Sequence, residues 1–324
     1  MRIATYNIEW FTGLFDSADR LMLDDAWSAR FNVTRRQQAE GIAYVLQKMD
    51  ADAVMIIEAP DANGTRNTIK ALVNFAEHFS LRTSAAVMGF VNETQQEIAL
   101  LYDPGALRAA HVPHPAADGV ARFDGQQGGV VFSKPPLELR VETAAGGRFC
   151  MIGVHLKSKA PHAAKGPADV RRVSLANRRK QVAQAHWLRA RVDQYLAAGR
   201  AVMVLGDLND GPGMDMPSAG AGVSSVEILL GGGAAALFDP HAKMALAGPL
   251  AASPTSARFW IRPERRYLQA LLDYIMVSQQ LLAQAPQWRI WHPTEDPECW
   301  GNEALRTALL MASDHFPVSV DLAI

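Results

Sequence analysis

Val202-Met203-Val204-Leu205 is a short apolar run that stops at Gly206 and is followed at once by Asp207 and Asn209. Its length and β-branched content mark a buried strand. Side chains two apart on an extended chain point the same way, so a carboxylate and a carboxamide meet at the lip of that strand. Alone, this reads as well as an Asx-rich turn. The arrangement recurs, however. A strand over 3–8 ends at Asn7 and Glu9, one over 53–57 ends at Glu58, and one over 149–154 ends at His155. A strand over 272–277 has Asp273 near its start, and one over 318–322 follows Ser313-Asp314-His315. Polar groups beside apolar strands are costly unless paired or bound to a metal. These edges are therefore expected to meet at one shared site.

Between the strands, Ile42, Val45, Leu46 and Met49 have helical spacing over 34–49, with Asn32 or Thr34 as cap. A second helix is expected at 66–79. A long one is expected at 172–198, with Leu175, Val182, Ala185, Leu188, Val192 and Tyr195 on one face and Gly199 as its stop. Further strands are expected at 84–91, 97–102, 137–143 and 287–291. Residues 211–265 are rich in Gly, Ala and Pro and suggest only a short helix near 223–230. No stretch reads as a linker or repeat, so one α/β domain over 1–324 is the simplest organisation.

Composition narrows the function. The net charge of -1 excludes a polycation that would seize nucleic acid or anionic membrane by charge alone. No apolar run reaches membrane-span length, and the N-terminus enters a strand pattern with no signal-peptide core. Cys150 and Cys299 make no disulfide framework, so a cytoplasmic setting is expected, although a secreted chain with its leader removed would look the same. No obligate protein partner is evident. The edge residues are mostly oxygen donors. That set suits Mg²⁺ or Mn²⁺, held by one or two carboxylates with water and substrate phosphate completing the shell.

Thr5-Tyr6-Asn7, Ile56-Ile57-Glu58, Val154-His155-Leu156, Gly206-Asp207-Leu208-Asn209-Asp210, Leu272-Asp273-Tyr274-Ile275 and Ser313-Asp314-His315-Phe316-Pro317 together resemble the endonuclease/exonuclease/phosphatase superfamily, in its order and over residues 5–317. The resemblance implies a four-layer α/β sandwich, two mixed β-sheets packed face to face with helices outside. It implies a divalent-metal-dependent phosphoesterase, with Glu58 as main metal ligand, Asn7 beside it and Asp314 in the metal and water shell. It also implies that Asp207 activates water and that Asn209 contacts the phosphate. His315, held by Asp273, would stabilise the transition state, and His155 would donate to the phosphate or protonate the leaving oxygen. Two positions depart from the pattern: Ile57 and Ala59-Pro60 flank Glu58 where the family usually has Gln before it, and Lys134 stands where an arginine is frequent. Lysine keeps charge but loses bidentate phosphate geometry.

Other features carry two readings. Lys157, Lys159, Lys165, Arg171, Arg172, Arg178, Arg179 and Lys180 form either a solvated helix face or a patch that tracks phosphates, Lys157 being the best candidate. Lys134 and Trp10 are expected against substrate, although Trp10 and Phe11 could equally be core. Glu97 could orient His155. His111 and His114 have metal-like spacing in a Pro-rich loop. Met214 and Met216 could form a rim. The substrate expected is a phosphodiester, with nucleic acid favoured over a small metabolite or lipid head group. A binding protein that keeps the fold without turnover is the third possibility.

Overall fold

The computed structural model describes all residues except 114–119, 123–128, 162–163, 212–222, 248–253 and 262–264. His114, Met214 and Met216 lie outside the described residues. The strands are β1 (Arg2–Asn7), β2 (Ala53–Ala59), β3 (Ala85–Met88), β4 (Glu97–Tyr102), β5 (Leu107–His111), β6 (Val120–Arg122), β7 (Gly129–Val131), β8 (Leu137–Thr143), β9 (Arg148–His155), β10 (Val202–Asp207), β11 (Ala257–Ile261), β12 (Arg266–Ala270), β13 (Asp273–Val277), β14 (Gln287–Ile290) and β15 (Val318–Asp321). The helices are α1 (Arg35–Met49), α2 (Thr68–His78), α3 (Pro167–Ala197), α4 (Ser225–Leu230), α5 (Pro240–Leu246), α6 (Gln279–Leu282), α7 (Pro297–Gly301) and α8 (Glu303–Ala312).

Six strands form one mixed sheet in the order β14-β15-β1-β2-β4-β3, and five form a second in the order β13-β10-β9-β8-β5. Each has one parallel pair at its heart, β1 with β2 and β9 with β10. The central strands are apolar throughout because both their faces are covered. Alternate residues of each sheet divide between a shared inner core and an outer one, three cores in all for the two sheets. Ile3, Met55, Ile57, Met151, Met203, Leu205 and Ile275 meet between the sheets. Ala4, Tyr6, Val54 and Ile56 face the other way, against residues of α1, α2 and α8. Ile152, Val154, Val202 and Val204 do the same against α3 and α4. The result is the expected four-layer order, helix, sheet, sheet, helix. At Gly153 the sheets approach closely: a Cβ there would lie 2.5 Å from Met55 Sδ and 3.0 Å from Ile98 Cγ2.

Element positions follow the expected pattern closely where the signal was periodic. Thr34 caps α1 in a capping box, its hydroxyl accepting from Gln37 N while Gln37 Oε1 accepts from Thr34 N at 2.9 Å. The long helix begins five residues earlier than expected, at Pro167, a residue suited to the first turn. The reading of 211–265 as holding only one short helix is corrected. It also holds α5, whose start is capped by Asp239 accepting from Ala242 N at 2.9 Å, and β11.

Candidate active site

The alternation that fills the inter-sheet core also builds the site. Asn7 continues the side of Ile3, His155 that of Met151 and Gly153, and Asp207 that of Met203 and Leu205. Asp273 shares its side with Ile275 and Val277. Asp207 is directly opposite His155 in the parallel pair and opposite Asp273 in the antiparallel one. These polar groups therefore extend the apolar layer out to one mouth of the sandwich. Asn7 crosses from the other sheet, its Nδ2 donating to Asp207 Oδ2 at 3.1 Å.

Glu58 reaches the same mouth through a defect. The β2–β4 register shifts between Ile57 and Ala59, and Glu58 sits in the bulge with φ 62°. A non-glycine residue there is strained, and bulges re-aim side chains. Its Oε2 accepts from Trp10 N at 3.2 Å. Burial raises the Glu58 pKa, with Lys134 opposing.

All these side chains except Asp273 line one cavity of about 600 Å³, together with Trp10, Lys134, Lys157, Asn209, Asp314 and His315. Asp273 stands behind His315, its Oδ2 2.8 Å from His315 Nδ1. Ser256 holds Asp273 in turn: its hydroxyl donates to Asp273 Oδ2 at 2.8 Å and accepts from the backbone N–H of Leu272 and Asp273. Ser313 ties the opposite strand to this loop by donating to Asn7 O at 2.8 Å and accepting from Glu9 N at 3.0 Å.

Asp207 is fully enclosed. Its Oδ1 accepts from Asn209 N at 2.7 Å and its Oδ2 from Asn209 Nδ2 at 3.1 Å. Burial pushes its pKa well above the carboxylate range, the His315 charge opposing. His155 Nε2 is 3.5 Å from Asp207 Oδ2 and 3.4 Å from Lys134 Nζ. Burial, reinforced by Lys134 and His315, holds His155 well below its ordinary pKa, so its ring is neutral. His315 behaves oppositely. Burial alone would lower it, but Asp273 and Asp207 outweigh that and raise its pKa well above the ordinary value.

The His315–Asp273 pair has a pH signature. The folded pKa of His315 is raised above the unfolded value of 6.5, so the contact contributes stability fully below about pH 6.5 and loses it as pH rises through the raised pKa. In urea melts from pH 6 to 10, the stability gap between wild type and Asp273→Asn is expected to narrow at high pH. A gap that widens would contradict the assignment of charge.

Buried glutamines on α3 lock the site loops, a feature not anticipated from the sequence. Gln181 Nε2 donates to Lys157 O at 3.0 Å, Leu208 O at 3.2 Å and Asn209 O at 2.8 Å, and Gln184 Oε1 accepts from Lys157 N at 2.9 Å. They continue, at helical spacing, the stripe of Ala185, Leu188 and Val192, which was a legible signal. The basic run divides. Lys159 and Arg178 turn inward onto buried Asp210, at 2.7 and 3.3 Å, while Arg172 pairs with Asp169 and Lys157 lines the cavity. Glu97 does not orient His155. It accepts instead from Asn92 Nδ2 at 2.6 Å, and His155 Nδ1 is buried without a partner. Phe11 is core, whereas Trp10 is 43% exposed at the cavity. His111 packs edge-on against Phe90, as an ordinary structural histidine does.

The residues fit a hard divalent cation. Asn7 Oδ1 is buried with no hydrogen-bond partner, and Asn7 and Glu58 line the same cavity. Acids outnumber cations around it: Glu9, Glu58, Asp207 and Asp314 line it against Lys134, Lys157 and His315. Among the described residues no three His, Cys, Asp or Glu side chains form a cage. Mg²⁺ needs none, since it keeps several waters and takes one or two carboxylates.

The family model described as Endonuclease/Exonuclease/phosphatase matches residues 4–315. The chain belongs to this family. Its members are hydrolases of phosphoesters and include nucleases and phosphatases, and they generally use divalent metals. Among solved structures, this family member is similar to the mannosyl-6-phosphatase Bt3783 of Bacteroides thetaiotaomicron VPI-5482, at 15% identity over 100% of both chains with TM-score 0.52. It is also similar to TDP2 from C. elegans, at 14% identity over 98% of this chain and 74% of that one with TM-score 0.51. A humanized D. rerio TDP2 matches at 13% identity over 99% and 97% of the two chains, with TM-score 0.51. At such identities the likeness concerns the fold. No curated protein sequence gives a significant match. No helix among the described residues is long and apolar enough to cross a membrane.

Proposed function

We propose that this protein is a Mg²⁺- or Mn²⁺-dependent phosphodiesterase that cleaves a P–O bond by direct attack of water, with nucleic acid as substrate. One observation carries the reading: a buried Asp207, Asn209, His155, the Asp273-backed His315 and Glu58 all converge on one cavity. We take residues 1–324 as one catalytic domain, supported by a family match over 4–315 and by contributions from both sheets. A cytoplasmic setting is supported by two buried, unpaired cysteines, Cys150 and Cys299.

Asp207, with its raised affinity for a proton, takes the proton of the attacking water and fixes that water's direction of approach. Asn7 and Asn209 hold the Asp207 carboxylate in one orientation. His315, kept charged by Asp273, faces the negative charge that develops on the phosphoryl oxygens. His155 is neutral, so of its two expected roles it fits hydrogen-bond donor to the phosphate better than leaving-group acid. Lys134 and Lys157 add fixed positive charge at the cavity wall. Glu58 and Asn7 would hold the cation, with Asp314 close by, and the cation would supply charge neutralisation at the phosphate and a lowered pKa for nearby water.

The test is hydrolysis of plasmid DNA, a single-stranded oligonucleotide, bis-nitrophenyl phosphate and nitrophenyl phosphate, each with Mg²⁺, Mn²⁺ or EDTA. Cleavage of the nucleic acids and of the diester, abolished by EDTA, is expected. Turnover of the monoester alone would replace the reading with a phosphatase. No metal-dependent turnover on any of them would leave a binding protein.

A further inference from the structure

We propose that the groove beside the catalytic cavity binds unpaired bases of a nucleic acid strand, next to the phosphate being cleaved. This rests on the nucleic-acid reading above and adds to it a preference for single-stranded substrate. The groove has a volume of about 980 Å³ and is lined by Arg30, Phe31, Arg258, Trp260, Arg265 and Tyr267. It shares Glu9, Phe259 and Asp314 with the catalytic cavity, so the two are continuous.

The β11–β12 hairpin forms its wall. Paired residues across antiparallel strands share a face, and Trp260 is opposite Tyr267, with Arg258 two residues before Trp260. Their side chains assemble on that face: the Trp260 and Tyr267 rings are 5.0 Å apart, and Arg258 Cζ lies 4.0 Å from the Tyr267 ring centre. Phe259, on the opposite face, approaches the His315 ring at 6.2 Å. The hairpin is also joined to the catalytic loop, since Arg258 N donates to Asp314 O at 2.7 Å and Ala257 bridges His315. A strand leaving the catalytic phosphate would pass from Phe259 onto this platform.

Exposure favours a ligand. Trp260 is 48% exposed, Tyr267 52% and Phe31 88%, whereas the rings packed into the sandwich, among them Phe11, Phe75, Tyr274, Trp291 and Phe316, are buried. Arg258 has a buried Nε–H with no acceptor, and it forms no ion pair among the described residues. Glu9 neutralises Arg30, which leaves Arg258 and Arg265 to meet phosphates. Aromatic rings interleaved with arginines are what unpaired bases on a phosphate backbone require: every base has a π-face, and the guanidinium serves phosphate and ring alike. The surface is concave, and its three arginines outnumber Glu9 and Asp314, which suits a strand better than a bilayer, into which a convex apolar edge would insert.

The experiment is fluorescence anisotropy of a labelled single strand of roughly twelve nucleotides, in EDTA to prevent cleavage. Wild type, Trp260→Ala, Tyr267→Ala and Trp260→Phe are compared after thermal melts show each folded. Affinity is expected to fall roughly tenfold for each alanine and to stay within a few-fold for phenylalanine. An abasic strand of the same length is expected to bind all four proteins alike. Unchanged affinity in the alanine variants, or equal wild-type affinity for abasic and base-bearing strands, overturns the proposal. So does loss of binding to anionic phospholipid vesicles with oligonucleotide affinity intact. Wild-type hydrolysis of bis-nitrophenyl phosphate reports on the catalytic reading separately, so its failure and failure of the groove are distinguishable.

Discussion

Asp207→Asn is expected to lower kcat by about 10²- to 10⁴-fold while KM changes little. The carboxylate is enclosed by donors: the Asn7 and Asn209 amides and the Asn209 backbone N–H all point at it. An amide of the same shape cannot take a proton, and its NH₂ would face one of those donors. Substrate contacts from Lys134, Lys157, His155 and His315 would remain, so the loss concentrates in the chemical step. Steady-state kinetics on bis-nitrophenyl phosphate at saturating Mg²⁺ measure it. A kcat within a few-fold of wild type would remove Asp207 from its assigned role.

Gly206→Ala is expected to destabilise the protein by on the order of 3 kcal/mol or more, through overpacking and an incompatible backbone. Gly206 has φ 135°, and a Cβ there would lie 2.1 Å from Val154 O, a backbone atom of the paired strand. The parallel β9–β10 pair would have to separate where His155 and Asp207 are presented. Gly146→Ala is the control: its φ is also positive, at 88°, but nothing lies within 4 Å, so only the local backbone cost applies. For a chain of this size the Gly206 change corresponds to a melting point lower by on the order of 5–10 °C. Equal melting of the two variants would mean that the close approach at Gly206 is not rigid.

Much of this site was legible in the chain because strand periodicity is rigid. Once Met203 and Leu205 face the inter-sheet core, Asp207 must follow them, and the same holds for Asn7 and His155. Glu58 was found by its position after an apolar run, but not the bulge that aims it, since φ at one residue leaves no mark in composition. Ser256 was missed because it contacts Asp273 only after the chain returns from residues whose order carries no period. Gln181 and Gln184 were passed over because polar helix residues usually face water; their register with Leu188 and Val192 was the available clue. The hairpin of Trp260 and Tyr267 straddles the end of the loose 211–265 segment, and its strands, Ala257–Ile261 and Arg266–Ala270, carry no clean apolar–polar alternation. In the sequence the basic run reads as one surface, because linear charge does not show that Lys159 and Arg178 turn inward to Asp210.

In the proposed mechanism, distant side chains surround one cation and one phosphoryl group at the mouth of the sandwich. A crystal structure of the protein grown with Mn²⁺ and inorganic phosphate tests it most directly, with the ion located by anomalous scattering. The expected result is Mn²⁺ on Glu58 and Asn7, with phosphate among His155, Asn209 and His315. Mn²⁺ and phosphate bound elsewhere on the surface, with this cavity holding neither, would contradict it.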